Sequence, residues 1–69
     1  MNKWKIDIIL NSGKELTVCY EGPEMNTGAV AEKVLTGSRN SLVGFASEDG
    51  AKNVLITVGE IAAASIYAG

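Results

Sequence analysis

Catalysis needs a nucleophile or a proton-transfer group beside a partner, and this sequence offers few such side chains. It contains no histidine, the commonest general base and metal ligand. Cys19 is the only cysteine and has no histidine to activate it, so we interpret it as a half-buried small hydrophobic residue. Glu21 and Glu24 flank a Gly-Pro turn, where solvated carboxylates are the simpler interpretation. The sequence therefore predicts no enzyme, no catalytic residue, no metal and no cofactor.

Nucleic-acid binding would need positive charge combined with aromatic faces on which bases can stack. Lys3, Trp4 and Lys5 form the one such cluster, and Tyr20 offers a further aromatic face. However, Trp4 continues the apolar alternation of the following residues, which favours a position in the core. The net charge of -2 gives no overall attraction to nucleic acid. Nucleic acid is therefore the less expected partner.

Partner binding is the remaining class of function, and polar loops next to the basic–aromatic cluster are candidates for it. One loop runs from Glu21 to Asn26 and another contains Arg39 and Asn40. We expect such loops to line a pocket between subunits that takes a host protein or a small ligand. The candidate binding surface consists of Lys3, Trp4, Lys5, Tyr20, Glu24, Arg39 and Asn40.

The elements that must position these residues begin with a hairpin. Apolar residues at even positions from Trp4 to Leu10 predict a strand with one buried face. Leu16, Val18 and Tyr20 predict the same for a second strand over residues 15–20. The turn between them contains Gly13, which is able to take positive φ. Pro23 then ends the sheet, because proline cannot donate to a strand ladder.

One helix is predicted, beginning at Thr27 and ending at Thr36. Asn26 is its expected N-cap, with Met25 and Val30 at the spacing of a hydrophobic staple. Gly37 is placed where a left-handed C′ residue would end the helix. About ten residues form no stable helix alone, so it must dock on the sheet.

The last third of the chain predicts the remaining strands. SLVGFA and KNVLITV flank Asp49-Gly50, which suggests a hairpin with a type I′ turn. A 3₁₀ corner near Gly59 then leads into IAAASIYA. Its alanines also have helical propensity, but so short a C-terminal helix would be weak, which favours a strand. The small residues of this segment either admit another surface or pack beneath the helix, and the sequence supports both interpretations equally.

The length of 69 residues allows one domain, residues 1–69, with a small core. Neither an intrachain disulfide nor a zinc site can reinforce it, and 46% of its residues are hydrophobic, so we expect a homo-oligomer. The N-terminus does not match a signal peptide and no segment has the apolar length of a membrane helix. These features predict a cytoplasmic protein without membrane contact.

Two resemblances extend this interpretation. LNSGKEL and VLITVGEIAAASIY resemble the first turn and the closing strand–corner–strand of Sm-like chains, although Sm proteins place their helix before the first strand. That resemblance implies an RNA-binding ring. The KWKIDIIL start and the VGEIA motif resemble short uncharacterised proteins of Gram-positive phages and prophages. The predicted fold is mainly β (α+β), a small five-stranded bent sheet or an SH3-like or Sm-like barrel. The predicted function is an oligomer-forming, non-enzymatic binding module of phage or prophage origin, and an Sm-like RNA-binding ring is the alternative.

Overall fold

The computed structural model describes residues 1–35 and 37–69. It contains five strands, one α-helix and one short 3₁₀ turn, which confirms the predicted order β-β-α-β-β-β and the mainly β class. The bounds in chain order are β1 (Asn2–Leu10), β2 (Glu15–Gly22), α1 (Thr27–Val34), β3 (Leu42–Ser47), β4 (Asn53–Thr57), the 3₁₀ turn (Val58–Glu60) and β5 (Ile61–Ala68).

All five strands belong to one antiparallel sheet in the spatial order β4-β3-β2-β1-β5. Within the described residues β4 pairs only with β3, and β5 pairs only with β1. A barrel requires the two outermost strands to pair with each other. The architecture is therefore the bent, open sheet, the first of the two predicted alternatives, and the strands do not form a closed SH3-like or Sm-like barrel. Two strand edges remain, one on β4 and one on β5.

The first hairpin sets the register at the centre of the sheet. The Leu10 N–H donates to the Lys14 carbonyl at 2.8 Å, and the Gly13 N–H donates to the Leu10 carbonyl at the same distance. Gly13 has a φ of 89°, the left-handed conformation that its position suggested. The hairpin places Ile6 opposite Val18. Strand β2 continues beyond the predicted Tyr20 as far as Gly22, and the sheet breaks at Pro23.

The core lies on the even-numbered face of β1 and β2, as the alternation predicted. Ile6, Ile8 and Val18 are fully buried there. They form one cluster with Val30 of the helix, Phe45 of β3 and Ile56 of β4. We call this side of the sheet the inner face. The core contains few large side chains, as expected because a short chain buries only a limited fraction of its surface.

The helix begins as predicted and ends earlier. Asn26 is the N-cap, and its side-chain oxygen accepts a hydrogen bond from the Ala29 N–H at 2.8 Å. Met25 is 81% exposed, so the predicted staple does not bury it against Val30. The helix ends at Val34, with Leu35 as its C-cap, so Gly37 is not the C′ residue. The predicted last residue, Thr36, lies outside the described residues.

The second hairpin forms with a different turn from the predicted type I′. Gly50 has a φ of 74°, but Asp49 does not have positive φ. Instead, the Asp49 carboxylate accepts hydrogen bonds from the Ser47 hydroxyl at 2.6 Å and the Ala51 N–H at 3.0 Å. The Ser47 N–H donates to the Lys52 carbonyl at 2.9 Å and closes a longer loop. The Gly50 N–H donates to the Ser47 carbonyl at 2.9 Å, so a β-turn over residues 47–50 remains, and the aspartate side chain reinforces it.

The 3₁₀ turn directs the end of the chain to the far side of β1. Asn11 holds the turn, because its backbone N–H donates to the Glu60 carbonyl at 2.8 Å and its side-chain amide to the Gly59 carbonyl at 2.9 Å. The last segment then pairs with β1 from Ala63 to Ala68, after a register irregularity between Ile9 and Leu10. The segment is a strand, as predicted: it pairs with β1 along its length, whereas an isolated helix of eight residues would gain too few hydrogen bonds to offset its nucleation cost.

Candidate binding surface

The face of the sheet opposite the core carries most of the polar side chains of the central strands. We call it the outer face. On β1 and β2 it consists of the odd-numbered residues, and Asp7 lies opposite Thr17 across the pair. Strand β5 adds Ser65, opposite Asp7 on the other side of β1, and Tyr67, opposite Lys5. Three strands thus present one continuous polar row.

Asp7 is the centre of a hydrogen-bonded cluster on this face. Its Oδ1 atom accepts from the Thr17 hydroxyl at 2.8 Å and from the Tyr67 hydroxyl at 3.1 Å. Burial raises the pKa of Tyr67 above its usual value, and the hydrogen bond to Asp7 and the charges of Asp7 and Glu48 raise it further. The cluster therefore ties the edge strand β5 to both central strands through side chains.

Two shallow grooves lie along the outer face. The larger has a volume of about 530 Å³ and contains the carboxylates of Asp7, Glu15 and Glu48. The smaller, of about 330 Å³, contains the lysines of β1 together with Cys19 and also reaches Glu48. The charged side chains that line the larger groove are all acidic, whereas those that line the smaller groove are both basic and acidic.

The structure divides the predicted binding surface between two ends of the sheet. Lys3, Trp4, Lys5, Tyr20 and Glu24 lie at the open end of the first hairpin. Arg39 lies at the other end, where its carbonyl accepts from the Gly59 N–H at 2.9 Å, and Asn40 follows it in the chain. The seven residues therefore do not form one patch.

The predicted residues at the open end are also divided between faces. Trp4 and Tyr20 lie opposite each other on the inner face and pack against the core, whereas Lys3 and Lys5 lie on the outer face. Trp4 therefore does not stack among the lysines. The interpretation of Trp4 as a core residue is confirmed.

Tyr20 and Glu24 form the most closely packed polar contact at this end. The Tyr20 hydroxyl donates to Glu24 Oε1 at 2.5 Å. This hydrogen bond, with burial and the charge of Glu24, raises the pKa of Tyr20. Gly22 provides the necessary space, since a Cβ at that position would lie 2.5 Å from Glu24 Oε2 and 2.6 Å from the Tyr20 hydroxyl. The Tyr20–Glu24 contact thus covers the core at the open end of the first hairpin.

The two edge strands differ from the central strands in their side chains. Neither β4 (Asn53–Thr57) nor β5 (Ile61–Ala68) contains a charged residue or a proline. Large apolar side chains are exposed on and beside β4, where Leu55 is 67% and Leu42 is 64% exposed. Exposed edges in monomeric proteins usually carry lysine, proline or a bulge, which prevents edge-to-edge pairing. These edges lack the first two features.

No motif in the sequence marks Asp7, Thr17 and Tyr67 as one site. The length of the turn that contains Gly13 fixes the register of the first hairpin, and this register places Asp7 opposite Thr17. That part of the cluster could therefore have been predicted from the sequence. The addition of Tyr67 depends on β5 pairing with β1. No local pattern in the sequence specifies that pairing.

Comparison with protein-family models, with curated proteins and with solved structures found no match to this chain. The helix of the described region is too short and too polar to cross a membrane. In the same region, no three residues of the types that bind metals through nitrogen, sulfur or carboxylate oxygen lie close enough together to hold an ion.

Proposed function

We propose that this protein is a non-enzymatic binding module, of phage or prophage type, whose copies associate through the edges of their sheets. The observation that carries the proposal is the distribution of charge among the strands. The central pair β1 and β2 contains Lys3, Lys5, Asp7, Glu15 and Glu21, whereas the edge strands β4 and β5, like the interior strand β3, contain none. Charged edges prevent strand pairing between molecules, so uncharged edges favour it.

The small core supports the same proposal. A chain of 69 residues leaves a large fraction of its surface exposed after folding. Pairing an edge with a second copy would bury apolar surface and satisfy backbone groups that otherwise face water. The outer-face grooves would then be presented by each copy in the assembly, where they would take a host protein or a small ligand.

The Sm-like RNA-binding alternative receives no support from the position of the cations. RNA binding would gather the basic side chains on one surface. Lys3 and Lys5 lie at the open end of the first hairpin, whereas Lys14 lies at its turn and Arg39 beside Gly59.

The test is the solution mass, measured by light scattering on a sizing column over a range of concentrations. We expect a mass that is a multiple of the 7.2 kDa chain and that does not change when an oligouridine RNA is added. A monomer at all concentrations would refute self-association. A mass that rises with RNA, and less so at high salt, would favour the alternative function.

Matched lysine substitutions locate the contact. Ala63 lies on the edge strand β5 and Ala46 on the interior strand β3, and both are exposed on the outer face. Leu55 of β4 and Leu42 of β3 form a second such pair. We expect Ala63→Lys or Leu55→Lys to lower the mass, while Ala46→Lys and Leu42→Lys do not. Equal losses in all four variants would contradict an interface at the edges.

A further inference from the structure

Strand β5 has features that specify how two copies would meet. It is the longer of the two edge strands, with eight residues against five in β4. Its regular pairing with β1 extends from Ala63 to Ala68, so its other edge is straight over the same segment. An edge of this kind can be extended by an antiparallel strand. The question is which strand fits it.

The order of side-chain sizes along β5 is complementary to itself in one register. In an antiparallel pair, opposite residues lie on the same face of the sheet, so opposite positions must both be odd or both be even. When Ser65 faces Ser65 of a second copy, Tyr67 faces Ala63 and Ile66 faces Ala64. Each large side chain then meets a small one, and the regular pairing covers Ala63 to Tyr67 of each copy.

The adjacent registers do not have this property. A shift of the centre to Ile66 places Ile66 against itself and leaves Ala62 and Ala63 beyond the end of the strand. A shift to Ala64 places Tyr67 opposite Ile61, but Ile61 pairs with Leu10 across the register irregularity and packs against the core. Alternation of large and small side chains across facing positions is the arrangement that packs without gaps.

Charge and hydrogen bonding are also compatible with this register. No charged residue of β5 would be buried or brought against a like charge, because the strand has none. The two Ser65 hydroxyls would face each other across the two-fold axis, where hydroxyl pairs form hydrogen bonds. Tyr67 can keep its hydrogen bond to Asp7, which lies on the side of β5 away from the edge.

From these features we infer that the protein forms a two-fold symmetric dimer in which β5 pairs antiparallel with β5 of a second copy, centred on Ser65. The inference rests on the proposed self-association and specifies its partner and its register. The result is one continuous ten-stranded sheet with β4 at both ends. A symmetric contact of this kind closes on itself, so assembly through β5 stops at the dimer.

The test is disulfide crosslinking in the 69-residue chain with Cys19→Ala as background. In the Ser65→Cys variant the two new cysteines are opposite each other, with Cα atoms about 4.5–5.5 Å apart, a separation that a disulfide spans. The control is Ala63→Cys, whose two copies are offset by four residues, or about 13 Å at ~3.3 Å per residue. We expect most of the Ser65→Cys chain to become a covalent dimer on mild oxidation, and Ala63→Cys to give at least tenfold less.

The outcomes separate the inference from the proposal on which it rests. A native mass of one chain overturns both. A dimeric mass with equal or no crosslinking in the two variants refutes the register, while self-association stands. A dimeric mass that Leu55→Lys abolishes and Ala63→Lys leaves intact assigns the contact to β4 and overturns the inference. Oxidised dimer in Ser65→Cys alone, at a native dimer mass, supports it.

Discussion

The central strands β1 and β2 and the edge strands β4 and β5 differ in where their buried and their charged side chains lie. The central pair contains the fully buried Ile6, Ile8 and Val18, and its outer face contains charged residues. The edge strands contain one buried side chain, Ile56, and no charge. Charge on a central strand keeps a sheet face in water, whereas charge on an edge prevents pairing. The centre therefore maintains the fold, and in the proposed assembly the uncharged edges would form the contact between copies.

The largest effect is expected from opening the core at the central strands. Ile6→Ala removes a side chain with no exposed surface, so the free energy of unfolding should fall by about 2–5 kcal/mol. Ile9→Ala is the control, because Ile9 lies on the same strand but is 40% exposed on the outer face, and its loss should stay below about 1 kcal/mol. Urea unfolding measures both. Similar losses would mean that the inner face does not carry the stability.

The next effect concerns two glycines in neighbouring strands. Gly22→Ala would place a Cβ against the hydrogen-bonded Tyr20–Glu24 pair, and we expect a loss of about 1–3 kcal/mol from overpacking. Gly44→Ala is the matched change beside an edge strand, where the nearest atom is the Leu55 Cδ2 at 3.1 Å. Leu55 is exposed and can rotate away, so its loss should be at most about 0.5 kcal/mol. A smaller loss for Gly22→Ala than for Gly44→Ala would refute this account of the closed end.

Much of the fold could be predicted because its signals are local. The alternation from Trp4 to Leu10, the N-cap at Asn26 and the turn glycine Gly13 each act within a few residues. The type I′ turn predicted at Asp49-Gly50 was wrong, because only Gly50 has positive φ and the Asp49 side chain instead accepts hydrogen bonds from residues two positions away on either side.

The candidate site depended on long-range pairing and was therefore harder to predict. Of the seven predicted surface residues, Trp4 and Tyr20 continue the alternation of the core-facing residues, so their position on the inner face could be predicted. No feature of the sequence indicates that Arg39 lies at the other end of the sheet. The Asp7–Tyr67 hydrogen bond joins residues 60 positions apart. It depends on which side of β1 the last strand occupies, and the 3₁₀ turn held by Asn11 determines that side.

A charge on the edge should separate fold stability from assembly. If copies pair through β5, unfolding of the wild-type dimer includes dissociation, so its stability rises by about 1.4 kcal/mol of dimer per tenfold increase in concentration. We expect Ala63→Lys to remove this concentration dependence and Ala46→Lys to preserve it. Thermal unfolding at several concentrations checks both. A wild-type midpoint that does not depend on concentration would contradict association at the edges.

The smallest effect distinguishes a tyrosine of the edge strand from a tyrosine of the centre at high pH. Burial first, then the hydrogen bond to Asp7 and nearby negative charge, raise the pKa of Tyr67, so its phenol contributes stability below pH 10 that is lost as the pH rises through the folded pKa. In a Tyr20→Phe background, absorbance at 295 nm should show ionisation above pH 10. Adding Asp7→Asn should lower the midpoint, since it removes the charge but keeps an acceptor.

The matched control for this titration is Tyr20 in a Tyr67→Phe background. The pKa of Tyr20 is raised chiefly by its hydrogen bond to Glu24, so Asp7→Asn should leave its midpoint unchanged and Glu24→Gln should lower it. A midpoint of Tyr67 that ignores Asp7→Asn would mean that the side-chain link between β5 and β1 is absent in solution. The edge strand would then be held to the centre by its backbone pairing and by the inner-face contacts of Ile61, Ala64 and Ile66, and the outer-face cluster would no longer qualify as a preorganised site.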